Sequence, residues 1–125
     1  MALEPSPFWE GCARSELLLQ RCSACGAYRH PPSSICAACL SDLHEWVPAS
    51  GSGTVYTYAV VRQALRSGWE GRLPYVVAVV ELDEGPKILT NLVNIAPEAV
   101  QIGMPVAVTF EERDGAVLPV FVPSA

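Results

Sequence analysis

Cys22-Ser23-Ala24-Cys25-Gly26, followed after ten residues by Cys36-Ala37-Ala38-Cys39, is the stretch on which the fold of the first third of the chain turns. A Cys-x-x-Cys pair turns tightly enough to bring two sulfurs onto one ion, and two such knuckles complete a tetrahedron of soft ligands. Gly26 supplies the permissive backbone that such a knuckle needs just after its second cysteine, while Ala37 and Ala38 keep the other knuckle slim. Disulfides and a thioredoxin-like redox pair compete with this reading. The first is improbable in a cytosolic chain, and redox pairs occur singly at a helix start rather than as a matched set. Iron fits the same S4 cage and stays an alternative, but zinc is the ion this donor set favours. Four thiolates saturate zinc and leave no position for water or substrate. The metal is therefore expected to be structural, with its binding free energy forming part of the folding free energy of residues 20–40. The fifth cysteine, Cys12, reads as a small buried apolar residue rather than a reactive thiol.

N-terminal to the knuckles, Ser6-Pro7-Phe8-Trp9-Glu10 reads as a helix start, with Ser6 as N-cap, Pro7 at the first helical position, and Phe8, Trp9 and Cys12 on one face. That face must bury against this chain's own sheet or another subunit. Leu17 to Arg21 reads as a short extended run into the first knuckle, and His30-Pro31-Pro32 as the loop between knuckles. C-terminal to them the composition turns strand-like near Ser50-Gly51-Ser52-Gly53, which divides the chain into residues 1–46, helix and zinc ribbon, and residues 47–125, a β module. Thr54–Val61, Pro74–Leu82, Lys87–Val93, Val106–Glu111 and Ala116–Phe121 are β-branched or apolar runs punctuated by turns. The unbroken apolar run of the second implies burial on both faces. Ala96-Pro97-Glu98-Ala99-Val100 is the one helical hint among them. Five short strands with so little helix fit a mainly β fold closed as an OB-fold barrel, whose closure removes exposed edges.

Composition bounds what such a chain can do. Its 125 residues allow one domain, or two small modules sharing a core, and exclude a large multi-domain enzyme. Hydrophobic residues make up 50% and charged residues 17%, with a mean hydropathy of +0.27. A short chain cannot hide that much apolar material inside a monomer, so a partner subunit is expected. The longest aliphatic run, Val76 to Val80, is a strand's length rather than a membrane span, and the first residues lack the pattern of a secretory signal. The expected compartment is the cytoplasm. A net charge of −5 disfavours both nucleic acid and anionic membranes as partners. It also weighs against Tyr56 and Tyr58, which strand alternation puts on one face, stacking on single-stranded nucleic acid; core or interface packing is the expected role.

Independent catalysis has no residues to rest on. His30 and His44 are the only histidines, both within or beside the zinc module, and no Ser-His-Asp order or glycine-rich phosphate loop can be assembled. Asp83 and Glu84 lie at a turn, where acidic residues are usually solvated. A group donated across an interface would fall to His30.

Taken together, Phe8-Trp9-Glu10-Gly11, Leu18-Leu19-Gln20-Arg21-Cys22-Ser23-Ala24-Cys25-Gly26, Pro31-Pro32, Cys36-Ala37-Ala38-Cys39, Ser50-Gly51-Ser52-Gly53-Thr54-Val55, Glu81-Leu82-Asp83-Glu84-Gly85 and Ile102-Gly103-Met104-Pro105-Val106 resemble a known family. It is the rubredoxin-like zinc ribbon plus OB-fold family that accompanies thiolases and acyl-CoA enzymes, long catalogued as a domain of unknown function. The resemblance implies a non-catalytic accessory or scaffold subunit in a hetero-oligomer. Its partner would be a thiolase-fold or lipid-transfer-protein-like aldolase acting on steroid or long-acyl CoA thioesters, or a MaoC-like enoyl-CoA hydratase. A free-standing acyl-CoA carrier is the alternative. On that footing Arg62, Arg66, Trp69 and Arg72 become candidate contacts for a partner or for CoA, the indole stacking on adenine and the guanidiniums meeting phosphates. Phe8 and Trp9 are the other candidates.

Overall fold

The computed structural model describes residues 7–30, 32–62, 74–113 and 115–124. Pro7 opens helix α1 (Pro7–Ala13), which buries Phe8 and Cys12 and leaves Trp9 half-buried. The helix ends because Ser15 turns into the left-handed region, at φ 61°. Its N–H donates to the Cys12 carbonyl and that of Glu16 to Gly11, the paired 5→2 and 6→1 bonds of a Schellman stop. A Cβ on Gly11 would come within 2.8 Å of the Leu18 side chain, so this position lets helix and following strand close on each other.

β1 (Leu18–Cys22) is the centre of a three-stranded antiparallel sheet, between β2 (Tyr28–Arg29) and β3 (His44–Pro48). β3 runs on through residues 46 and 47 and then hands the chain to the barrel. Neither β2 nor β3 was expected from the sequence, because two residues carry no periodicity and His44-Glu45-Trp46-Val47-Pro48 has no clean alternation. Their pairing with β1, such as Gln20 with both Arg29 and Trp46, is set across the knuckles instead.

β4 (Ser52–Val61), β5 (Tyr75–Leu82), β6 (Lys87–Leu92), β7 (Pro105–Arg113) and β8 (Ala116–Pro123) close into a barrel in the order β4-β5-β6-β8-β7. A single 3-10 turn, Pro97–Ala99, lies between β6 and β7, where the sequence hinted at helix. Val55, Val76, Val80, Leu82, Val106 and Phe121 fill the interior. Phe8, Cys12, Leu17 and Leu19 belong to the same apolar cluster, so ribbon and barrel share one core.

Two strand expectations are corrected. β5 is not buried on both faces: Val76, Ala78, Val80 and Leu82 point inward, whereas Tyr75, Val77 and Val79 stay half-covered and Glu81 is exposed. A closed barrel has only one inside, and the apolar run does not alter that. Tyr56 and Tyr58 do not share a face either. The register with β5 shifts between Val55 and Thr57, so Tyr56 is the extra residue of a bulge. Tyr58 packs on the core, while Tyr56 is exposed beneath the Lys87 ammonium, 4.7 Å from its ring centroid.

The passage from ribbon to barrel is clamped by hydrogen bonds. Ala49 donates to Leu17, Val108 to Gly51 and Asp83 to Ser52. Glu84 adds a side-chain bond, its Oε2 accepting the Ser50 N–H at 2.7 Å. Both residues lie at the turn as expected; Asp83 is exposed there, whereas Glu84 is half-buried and ties the junction instead of being merely solvated.

Candidate metal centre and a groove beside the barrel seam

The two knuckles are built alike, bond for bond. Cys22 N–H donates to the Ala27 carbonyl and Gly26 N–H to that of Cys22; Cys36 N–H donates to Ser41 and Leu40 N–H to Cys36. In each, the residue after the second cysteine takes a positive φ, 80° at Gly26 and 65° at Leu40. That backbone turn aims N–H groups at the first sulfur, as with Cys25 N–H and the Cys22 Sγ at 3.5 Å.

The four sulfurs lie within 4.8 Å of one another. Cys22 and Cys39 are 3.5 Å apart, and Cys25 and Cys36 3.7 Å. A regular tetrahedron of sulfurs about zinc, with bonds of about 2.3 Å, has edges of about 3.8 Å. Cys22, Cys25, Cys36 and Cys39 therefore fit the ion and would hold it. At the first sulfur of each knuckle, N–H groups favour the thiolate form. Cys22 is brought down to about 6, chiefly by the Cys25 N–H with help from that of Ala24. Cys36 is lowered in the same way, by the N–H groups of Cys39 and Ala38. Cys39 is pushed up to about 12: the Ser41 N–H favours its thiolate, but the crowding sulfurs of Cys22, Cys25 and Cys36, together with burial, outweigh it. A divalent ion resolves this crowding by supplying positive charge between the sulfurs. With all four positions taken by sulfur, a bound ion would shape the ribbon and leave no site for a substrate.

Cys12 lies apart from this cluster, fully buried in the shared core, where desolvation raises its thiol to about 11. It is a packing residue, as the sequence suggested.

Phe8, Trp9 and His30 meet in one place. The Phe8 ring packs edge-on to Trp9 at 4.9 Å between centroids and tilts against His30 at 5.1 Å. Burial lowers the His30 pKa, which favours the neutral ring. These three border a groove of about 380 Å³ whose other wall is Leu89 on β6 and Leu118 and Pro119 on β8. The groove follows from the weakest joint of the barrel. β6 and β8 run parallel and pair at a single position, Leu92 with Phe121. Pro119 has no N–H to offer a neighbouring strand, and its carbonyl accepts the Thr90 hydroxyl at 2.9 Å. Nothing in the sequence reading pointed to Leu89, Thr90, Leu118 or Pro119; the proline inside an apolar strand run was the available signal.

Of the loop candidates, Arg62 is exposed and lies 4.0 Å from the Glu98 carboxylate. Arg66, Trp69 and Arg72 fall outside the described residues. His44 is exposed on β3, its ring 6.3 Å from that of Trp46. No helix among the described residues is long and apolar enough to cross a membrane.

A four-cysteine ribbon mounted on a five-stranded closed barrel defines a zinc-ribbon/OB-fold protein. The family profile of the ChsH2 rubredoxin-like zinc ribbon domain matches residues 9–45, and that of the ChsH2 C-terminal OB-fold domain matches residues 46–111. The chain belongs to this ChsH2 zinc-ribbon and OB-fold family. It is 44% identical to a probable enoyl-CoA hydratase alpha subunit of Thermomonospora curvata, over 98% of this chain and 41% of that protein. Identity to a 3-oxo-4,17-pregnadiene-20-carboxyl-CoA hydratase alpha subunit of Mycobacterium tuberculosis is 39%, over 82% of this chain and 32% of that protein. A DUF35 domain-containing scaffold protein of Methanocaldococcus jannaschii is 41% identical, over 76% of this chain and 69% of its own length. The chain therefore spans less than half of either hydratase subunit. Among solved structures, a chain of an Ltp2-ChsH2(DUF35) aldolase superposes with a TM-score of 0.89 at 41% identity, covering 100% of this chain and 99% of that one.

Proposed function

We propose that this chain is the non-catalytic, zinc-stabilised scaffold subunit of an acyl-CoA-processing complex in the cytoplasm. Its partner in this reading is a thiolase-fold, lipid-transfer-protein-like aldolase that cleaves steroid or long-acyl side-chain CoA thioesters. The observation that carries it is the end-to-end match to a chain of an Ltp2-ChsH2(DUF35) aldolase, whereas only part of each hydratase subunit is matched. Identity to those subunits favours a second reading, in which the partner is a MaoC-like enoyl-CoA hydratase. Both agree with exposed apolar side chains at Ile35, Leu40, Leu43 and Ile102, which a subunit interface would cover. Residues 1–46 and 47–125 act in this reading as ribbon and barrel joined through one apolar core.

If the chain also touches CoA, the phosphates fall to Arg62, Arg66 and Arg72, with Trp69 on the adenine. Gentle purification of the tagged chain from its native host, with mass spectrometry of co-purifying chains and their ratio, tests the assignment. A stoichiometric thiolase-fold partner is the expected result. A hydratase would favour the second reading, and a lone monodisperse chain would overturn both.

A further inference from the structure

We infer that the groove between α1 and the β6–β8 seam holds the hydrocarbon end of the acyl group, an inference that rests on the acyl-CoA reading above. Its walls are apolar on both sides: Phe8 and Trp9 from the helix, Leu89, Leu118 and Pro119 from the diverging strands. Polar groups that border it are hydrogen-bonded within the chain. Thr90 donates to the Pro119 carbonyl, Asn91 Nδ2 donates to the Val76 carbonyl at 2.9 Å, and Arg113 donates to Asn91 Oδ1 at 3.1 Å and to Glu111 at 2.9 Å. His30, the remaining polar side chain of the wall, lies against the Phe8 ring. A charged occupant would lose its water with little in return, whereas an alkyl chain or a flat hydrocarbon skeleton loses nothing.

Size separates a small ligand from a docked protein. About 380 Å³ falls within the range of small-molecule sites, roughly 300–1,000 Å³. Among the described residues twelve line the groove, against the roughly 20–30 per side of a stable protein interface. The exposed Leu89, 72% accessible, is then the lip of a binding groove rather than a stray surface leucine.

The test titrates the zinc-loaded full chain with CoA, acetyl-CoA, octanoyl-CoA and decanoyl-CoA, and in parallel with octanoate and decanoate. Affinity for the thioesters should rise by up to about fourfold per added methylene until the groove is full. Leu118→Trp, which fills the groove, should abolish that dependence while leaving zinc content unchanged. Leu89→Trp at the exposed lip gives the same reading should the first variant fail to fold. Affinity independent of chain length, or unchanged in both variants, overturns the inference. So does tighter binding of decanoate than of decanoyl-CoA, which would make the groove a fatty-acid site. Co-purification with each variant separates the two levels of the argument. If the partner is still captured and chain-length dependence is absent in the parent protein, the groove assignment alone fails; if variants lose the partner without any acyl preference, the groove is a protein-docking site and the inference falls.

Discussion

The two knuckles share a hydrogen-bond pattern, yet they are held in different ways. The first hangs between β1 and β2, and β1 is backed along its length by β3 through pairs from Leu18–Pro48 to Cys22–His44. The second lies in a loop that has no strand from Ser33 to Leu43 and is tied to the rest of the ribbon near its ends, by the Ser33 N–H to the Gln20 side chain and the Ser23 N–H to the Leu43 carbonyl, while Ala37, Ala38, Cys39 and Leu40 are all exposed. Where the first has Gly26 in the left-handed region, the second has Leu40, a residue whose Cβ makes that region costly by roughly 1–2 kcal/mol. The lesson is one of division of labour. The first knuckle is organised by the chain, and the second by the ion it shares with the first.

Removing the metal should break the comparison most severely. Cys36→Ser is expected to reduce bound zinc from one per chain to near zero by elemental analysis and to cost roughly 5 kcal/mol or more of stability. Amide hydrogen exchange should then show residues 35–41 unprotected while β1 and β3 keep part of their protection. Unchanged zinc content and melting temperature would sink the assignment. Equal loss of protection in both knuckles would refute the asymmetry. Next in size is Gly26→Ala, where a Cβ at φ 80° also comes within 3.3 Å of an Arg21 guanidinium nitrogen. A loss of about 1–2 kcal/mol at saturating zinc is expected from denaturant titration. A neutral result would mean that the first knuckle is as plastic as the second.

Much of this was readable in the sequence, for reasons that also mark its limits. Metal ligands announce themselves because sulfur spacing is a local property, and so Cys22, Cys25, Cys36 and Cys39 converge as expected. The five barrel strands were visible because β-branched runs between turns have few other uses. What stayed hidden is non-local. Tyr56 becomes a bulge only through its pairing with β5, and Glu84 becomes a clamp only because the barrel brings its turn against Ser50. The groove arises from a seam between β6 and β8, which lie more than twenty residues apart in sequence. No window of residues contains it.

A finer contrast concerns Arg21. Its guanidinium reaches Glu45 at 3.2 Å and lies 5.9 Å from the centre of the Tyr28 ring, bracing the first knuckle across all three strands of the ribbon sheet. Both charged side chains are about half exposed, so solvent screens the pair. Arg21→Ala should cost about 0.5 kcal/mol or less, a loss that shrinks in high salt. A salt-insensitive loss of several times that size would mean that the arginine stem packs as structure rather than acting through charge.

The last contrast is the most discriminating, because its sign is at stake. Leu40→Gly removes a left-handed leucine whose side chain is 77% exposed, so almost no buried apolar area goes with it. Relief of the strained φ favours the folded state, while glycine's wider freedom in the unfolded chain works against it by roughly 0.5–1 kcal/mol. The balance should be a gain of roughly 0–1.5 kcal/mol at saturating zinc, opposite in sign to Gly26→Ala although the two positions have the same backbone role. A loss above 1 kcal/mol would show that the Leu40 side chain holds the second knuckle together in the isolated chain, and the distinction between a chain-organised and an ion-organised knuckle would have to be abandoned.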